Sequence, residues 1–224
     1  MTMTSLRFIC IAIGYVFGMI QTAYFYGRLK GIDIRQYGSG NAGTTNTLRV
    51  LGAKAGFIVL FGDMLKCALA VCLVGFLFSS AYPEHVYLLK MYTAFGAILG
   101  HDFPFYMKFK GGKGIAATCG FMIAFHWTFI PMFLIVFLLI FNLTHYVSLG
   151  SLALYLGFVI LLMFEGEKGL FGFGAMAAAD RVEMYIIAIV MTCLAFWQHR
   201  SNINKLVNHT ERKTYIFKKK NAED

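Results

Sequence analysis

No feature constrains this chain more than its succession of apolar stretches, each about as long as a bilayer is thick. Leu6–Tyr26 suffices at roughly 1.5 Å per helical residue to cross about 30 Å of hydrocarbon. No A-x-A-like cleavage site follows it, so an uncleaved first helix is expected. Its Gly14 and Gly18 form a G-x-x-x-G face suited to close helix packing. Ala55–Ser80, Val86–Leu99, Gly150–Phe164 and Val182–Trp197 read as further spans. With 58% hydrophobic and only 14% charged residues, the chain is too apolar for a soluble domain of 224 residues.

One stretch decides the topology. Ile115–Phe141 is too long for a comfortable single crossing and short for two. A break at His126–Pro131 gives seven spans and puts segments 28–54, 101–113, 144–150 and 199–224 on one face. Those segments hold five, three, none and seven cations, 15 of the 20 Lys and Arg. Without the break the cationic tail moves outside, against the positive-inside bias. The expectation is therefore an all-α integral membrane protein with seven transmembrane helices, N-terminus outside and C-terminus cytoplasmic. Residues 1–198 form one transmembrane domain, and 199–224 form a basic cytoplasmic segment whose start joins the active site. Glu165–Arg181 reads as an outer glycine-rich loop, and Lys218–Lys220 are expected near anionic headgroups.

Charge and cysteine usage exclude other classes. The net charge of +9 reports topology here and requires no nucleic acid. All five cysteines lie in apolar runs, with neither C-x-x-C spacing nor nearby histidines, so disulfides and metal ligands are not expected. Within Ala55–Ser80, Asp63 and Lys66 stand one turn apart, and mutual pairing is favoured over catalysis.

Chemistry is expected in the polar links. Gly100–Gly114 joins His101, three lysines and consecutive glycines, a setting suited to an oxyanion or phosphate, or simply to a positive-inside loop. It is not a Walker A loop, since Gly114 stands where Ser or Thr would hold magnesium. The segment from Gly38 to Arg49 ends in a guanidinium able to take a phosphate bidentately, and it also fits a turn leading into an interfacial helix. Thr144–Leu149 and His199–Asn204 complete the set. Together these links favour a phosphate-bearing substrate, with no carboxylate pair, metal triad or Ser-His-Asp set.

The segments S-G-N-A-G-T-T-N-T-L-R (39–49), G-H-D-F-P-F-Y-M-K-F-K-G-G-K-G (100–114), Y-V-S-L-G-S (146–151), H-R-S-N-I-N-K-L (199–206) and G-D-M-L-K (62–66) resemble the bacterial acyl-phosphate:glycerol-3-phosphate acyltransferases (PlsY). The resemblance implies transfer of a fatty acyl group from acyl-phosphate to the 1-hydroxyl of sn-glycerol 3-phosphate. It implies lysophosphatidic acid and phosphate as products, the first step of phospholipid synthesis, with no acyl-CoA requirement, and no cofactor is expected. No His is followed five positions later by Asp, so the H-x4-D signature of acyl-CoA-type enzymes is absent. Ala42, His145 and His209 depart from the family pattern, and no role is carried over to Glu211.

Resemblance and inventory together nominate Ser39, Lys113, His199 and Asn202 as catalytic. Asn41, Thr45, Asn46, Arg49, His101, Lys108, Gly111, Gly112 and Ser148 are nominated as substrate-binding. In the expected direct attack, the Gly111 and Gly112 amides with Lys113 hold the leaving phosphate, and Arg49 with Ser39 and Asn46 holds a phosphate group. His199 and Asn202 position the hydroxyl, whose proton passes to His199 or to a phosphate oxygen. Partners are acyl-phosphate, sn-glycerol 3-phosphate and membrane lipids. A monomer in the bacterial inner membrane, its site on the cytoplasmic face, completes the expectation. The competing class is a membrane anion or phosphate transporter.

Overall fold

The computed structural model describes residues 1–215, and Lys218–Lys220 lie outside the described residues. Among these there are ten α-helices and no strand: α1 (Met3–Gly18), α2 (Thr22–Leu29), α3 (Thr44–Leu51), α4 (Ala53–Phe78), α5 (Val86–Asp102), α6 (Ile115–Phe125), α7 (Phe129–Thr144), α8 (Val147–Glu167), α9 (Ala178–Gln198) and α10 (Arg200–Val207). The expected outer loop is shorter than its sequence suggested. Residues 168–177 alone separate α8 from α9, and they include a 3-10 stretch, Leu170–Ala175, with Phe173 buried.

The tightest crossing joins α1 to α5. A Cβ on Gly14 would lie 2.0 Å from the Thr93 carbonyl oxygen, and one on Gly18 would lie 2.1 Å from that of Ala97. The facing helix answers in kind, since a Cβ on Gly96 or Gly100 would stand 2.2 Å from a carbonyl of α1. Four glycines therefore let two backbones touch, as apolar helices require where no hydrophobic effect drives them together.

The expected single helix over Leu6–Tyr26 is broken. The chain leaves helical geometry between Gly18 and Thr22, and the polar groups released there are used. The Met19 carbonyl accepts from the Tyr106 hydroxyl (2.6 Å), and the Ile20 carbonyl accepts from Lys66 Nζ (2.6 Å). Buried Gln21 donates to the His101 carbonyl at 2.7 Å. Non-helical backbone is stable at membrane depth only when such partners are present. Asp63 and Lys66 pair as expected, at 2.9 Å, and Thr22 donates to the same carboxylate oxygen.

The break expected in Ile115–Phe141 is present between α6 and α7. Thr128 donates to Glu165 at 3.0 Å, and Pro131 sits in the first turn of α7, where its missing N–H costs nothing. Phe121, Phe125, Phe129 and Phe158 pack α6, α7 and α8 into one aromatic core. Beyond α10 the chain turns back. The Thr214 amide donates to the His145 carbonyl (2.9 Å), and the Tyr215 ring lies 4.9 Å from the His145 ring.

Candidate active site

The loop before α3 is shaped by one buried side chain. Asn46 Nδ2 donates to the carbonyls of Ile34 (3.2 Å) and Tyr37 (3.0 Å), while Oδ1 accepts from the Ser39 amide (2.8 Å). Gly38 lies at φ +63°, and a Cβ there would meet Asn46 Oδ1 at 2.3 Å. Both amide protons of Asn46 are thus committed to the fold. Its expected role in binding is corrected to that of a clamp that places Ser39. Helix α3 then starts with no side-chain cap, and the backbone amides of its first turn have no intrahelical partner.

A second correction concerns Gly111 and Gly112. Their amides donate to the carbonyls of Asp102 (3.0 Å) and His101 (3.1 Å), so they are not free to hold a phosphate. Both positions need glycine for close approach. A Cβ would lie 2.0 Å from the His101 carbonyl at Gly111, and 2.1 Å from His101 Nε2 at Gly112. The open amides are those that follow, at the start of α6, where Gly114 takes a left-handed turn (φ +74°) without a side-chain cap. Neither Lys108 nor Gly112 lines the cavity described below, whereas Lys110 and Lys113 do.

His101 is buried, and its Nδ1 lies 2.8 Å from Lys66 Nζ. An ammonium only donates, so Nδ1 accepts and Nε2 carries the proton beside the cavity. His199 has its tautomer fixed in the same manner. Its Nδ1 donates to the Ala195 carbonyl at 2.7 Å, leaving Nε2 as an acceptor. Burial, reinforced by the Lys113 charge, pushes its pKa down to about 4 against an opposing backbone bond, so the ring is neutral near pH 7.

Lys113 donates to Asn202 Oδ1, and Asn202 Nδ2 donates to Glu211 (2.9 Å). Desolvation lowers the Lys113 pKa, with the Glu211 charge acting in the opposite direction. Arg49 Nη2 donates to Thr214 Oγ1 (2.7 Å) and to the Arg212 carbonyl (3.2 Å). Burial holds the Arg49 pKa below its ordinary value. Arg35, which the sequence did not single out, also lines the cavity, and Asp33 pairs with it at 2.7 Å.

These groups surround one cavity of about 920 Å³. Ser39, Asn41, Thr45, Asn46, Arg49, His101, Gly111, Lys113, Ser148, His199 and Asn202 all line it. Four helices, α3, α6, α8 and α10, begin at its wall, so four positive dipole ends share one space. The hydroxyls of Thr44 and Ser148 are buried and have no partner among the described residues. Farther in, Leu60, Met64, Phe133 and Phe137 give the same cavity an apolar wall. One compartment therefore offers cations and amides to a phosphate and hydrocarbon to a long chain. Sequence reasoning set Glu211 aside and missed Arg212 and Thr214, and all three line the cavity from the returning tail. Nothing local in the sequence announces that return.

Comparison with known proteins completes the picture. Residues 8–209 match the family described as glycerol-3-phosphate acyltransferase. The chain belongs to that family. A glycerol-3-phosphate acyltransferase of Thermotoga petrophila is 38% identical, over 92% of this chain and 96% of its own. One from Mycoplasma pneumoniae is 36% identical over 91% and 92%. Among solved structures, PlsY, an integral membrane glycerol 3-phosphate acyltransferase, superposes in its glycerol 3-phosphate form with a TM-score of 0.78. That match has 30% identity and covers 93% of this chain and 96% of the other. The lysophosphatidic acid form gives 0.76, again at 30% identity. The protein is thus an integral membrane acyltransferase, all-helical in its described residues, and the transporter reading falls away.

Proposed function

We propose that this acyltransferase moves a fatty acyl group from acyl-phosphate to the 1-hydroxyl of sn-glycerol 3-phosphate in one ternary complex. Acylation of glycerol 3-phosphate, a step of phospholipid synthesis, follows from the family. The observation that carries the mechanism is the convergence of four helix N-termini, Arg49 and Lys113 on a cavity whose far wall is apolar. Two phosphate groups and an acyl chain find complementary surroundings there.

In the proposed step the glycerol hydroxyl oxygen bonds to the acyl carbonyl carbon. The carbon–oxygen bond to phosphate breaks, and inorganic phosphate leaves with the electron pair. Phosphate is already a good leaving group, so no acyl-enzyme is required. Lys113 and the open amides of α6 stabilise charge developing on the departing phosphate. Arg49 and Ser39 hold the phosphate of glycerol 3-phosphate, with Asn41, Thr45 and Ser148 completing its hydrogen bonds. His199 Nε2 orients the hydroxyl together with Asn202. A neutral imidazole with a pKa near 4 is a weak base, so the proton ends on a phosphate oxygen.

Seven spans, an external N-terminus and a cytoplasmic site in the bacterial inner membrane are supported by the cation distribution. Residues 1–198 act as one transmembrane domain, and the segment from 199 onward completes the site. A monomer suffices, because the catalytic groups named here all come from one chain. The decisive experiment supplies purified protein with acyl-phosphate and labelled glycerol 3-phosphate. Labelled lysophosphatidate is expected without ATP or coenzyme A. A strict need for acyl-CoA, or ping-pong kinetics, would overturn the mechanism.

A further inference from the structure

The tail that returns over the cavity carries acceptors where the site presents donors. Glu211 accepts from Asn202, and Thr214 Oγ1 and the Arg212 carbonyl both accept from Arg49 Nη2. The far end is pinned, since the Thr214 amide bonds to the His145 carbonyl at 2.9 Å and Tyr215 packs on the His145 ring. Residues 211–215 therefore bridge α10 and the α7–α8 turn as a strap.

The choice of nitrogen matters. A guanidinium binds an oxyanion bidentately through Nε with Nη2 or through Nη1 with Nη2, and Nη2 is common to both forks. In Arg49 that nitrogen faces two strap acceptors, so neither fork is available while the strap is seated. We propose that residues 211–215 occupy the phosphate seat at Arg49 as an internal pseudo-ligand, and that glycerol 3-phosphate displaces them on binding. This rests on the assignment of Arg49 to a substrate phosphate made above. Holding the strap down gives the empty site paired polar groups. Releasing it hands both Arg49 forks to the incoming dianion. Entry of the headgroup and opening of the mouth are then one event.

Arg212 and Lys213 place trypsin sites within the strap, so its release can be read directly on the intact protein in detergent. Cleavage after these residues, identified by peptide mass, is expected to accelerate as glycerol 3-phosphate is titrated in. Thr214→Val removes the stronger of the two Arg49 contacts. It should be cleaved faster without ligand and show a KM for glycerol 3-phosphate lowered about fivefold. Tyr215→Ala, which loosens the same strap at His145, should move both readouts in the same direction if Thr214→Val fails to fold. Protection from trypsin by glycerol 3-phosphate, no change, or a raised KM in these variants overturns the displacement. Arg49→Lys in the Thr214→Val background, where the strap is already loosened, tests the underlying assignment separately: a KM equal to that of Thr214→Val alone removes Arg49 from the phosphate.

Discussion

Lys66, buried, and Lys113, half-buried beside the cavity, are built for opposite ends. Lys66 is buried in α4, and its three protons face three acceptors: the Ile20 carbonyl, Asp63 Oδ1 and His101 Nδ1. Lys113 sits just before α6, and its one hydrogen bond among the described residues goes to Asn202. A saturated cation holds the helices around it. An under-coordinated one, facing a cavity among helix N-termini, is free to meet an anion. Occupancy of donors therefore separates structural charge from functional charge.

Breaking the second cation should have the largest effect. Lys113→Ala is expected to lower kcat by roughly 10³-fold or more, since it removes a preorganised charge from the leaving phosphate. Turnover of labelled glycerol 3-phosphate measures it, and the thermal midpoint should stay within a few degrees of the parent. Activity within tenfold of the parent would return Lys113 to the same class as Lys66.

Lys66→Met should show the reverse pattern, losing stability first. A buried Asp63 left without its partner costs about 3–5 kcal/mol. Denaturation in detergent reads the loss, and the Lys66→Met, Asp63→Asn pair should recover much of it. If the double variant is no better than the single, pairing is not what holds that region.

The Asn46 clamp predicts a smaller, mixed result. Asn46→Ala leaves the Ser39 amide unpaired and takes one of two donors from each of the Ile34 and Tyr37 carbonyls, which keep the Tyr37 and Gly40 amides, costing about 1–3 kcal/mol of stability. KM for glycerol 3-phosphate should rise with it because Ser39 is misplaced. A kinetic defect with unchanged stability would instead favour direct contact between Asn46 and substrate.

The smallest effect concerns pH. His199 is disfavoured as a cation in the folded state, with a pKa near 4 against an ordinary 6.5. Between those values the unfolded chain binds the extra proton, so this contribution to stability is present above pH 6.5 and is lost as pH falls toward 4. Nitrogen-15 spectra of labelled histidine should show one ring with its proton on Nδ1 that stays neutral at pH 6. Titration of that ring near 6.5 contradicts the buried, carbonyl-bonded geometry.

Much of this arrangement is legible in the residues. Apolar length announces the helices of the bundle, and the four-residue spacing of Gly14 and Gly18 announces their closest crossing. The cation distribution calls for the break at His126–Pro131 found between α6 and α7, and four polar links with one segment of α4 carry the resemblance to a family. The roles of individual glycines and amides were less legible. Gly111 and Gly112 look like a phosphate cradle because they are consecutive and stand beside Lys113. Their amides are claimed by carbonyls that precede them by several residues, and the anion-binding character passes to the next turn.

By itself, then, the sequence determined the membrane class, the helical segments, the family and most of the residues that meet at the cavity. Each of these depends on local quantities, such as summed hydropathy, residue spacing and side-chain type, that survive any folding of the chain. Only the tertiary structure decided which donors remain open: Lys66 saturated, Asn46 closed into its loop, Arg49 engaged by Thr214. Hydrogen-bond capacity is a property of a residue, but its occupancy belongs to whatever distant atom lies within about 3 Å, and that distance exists only in the fold.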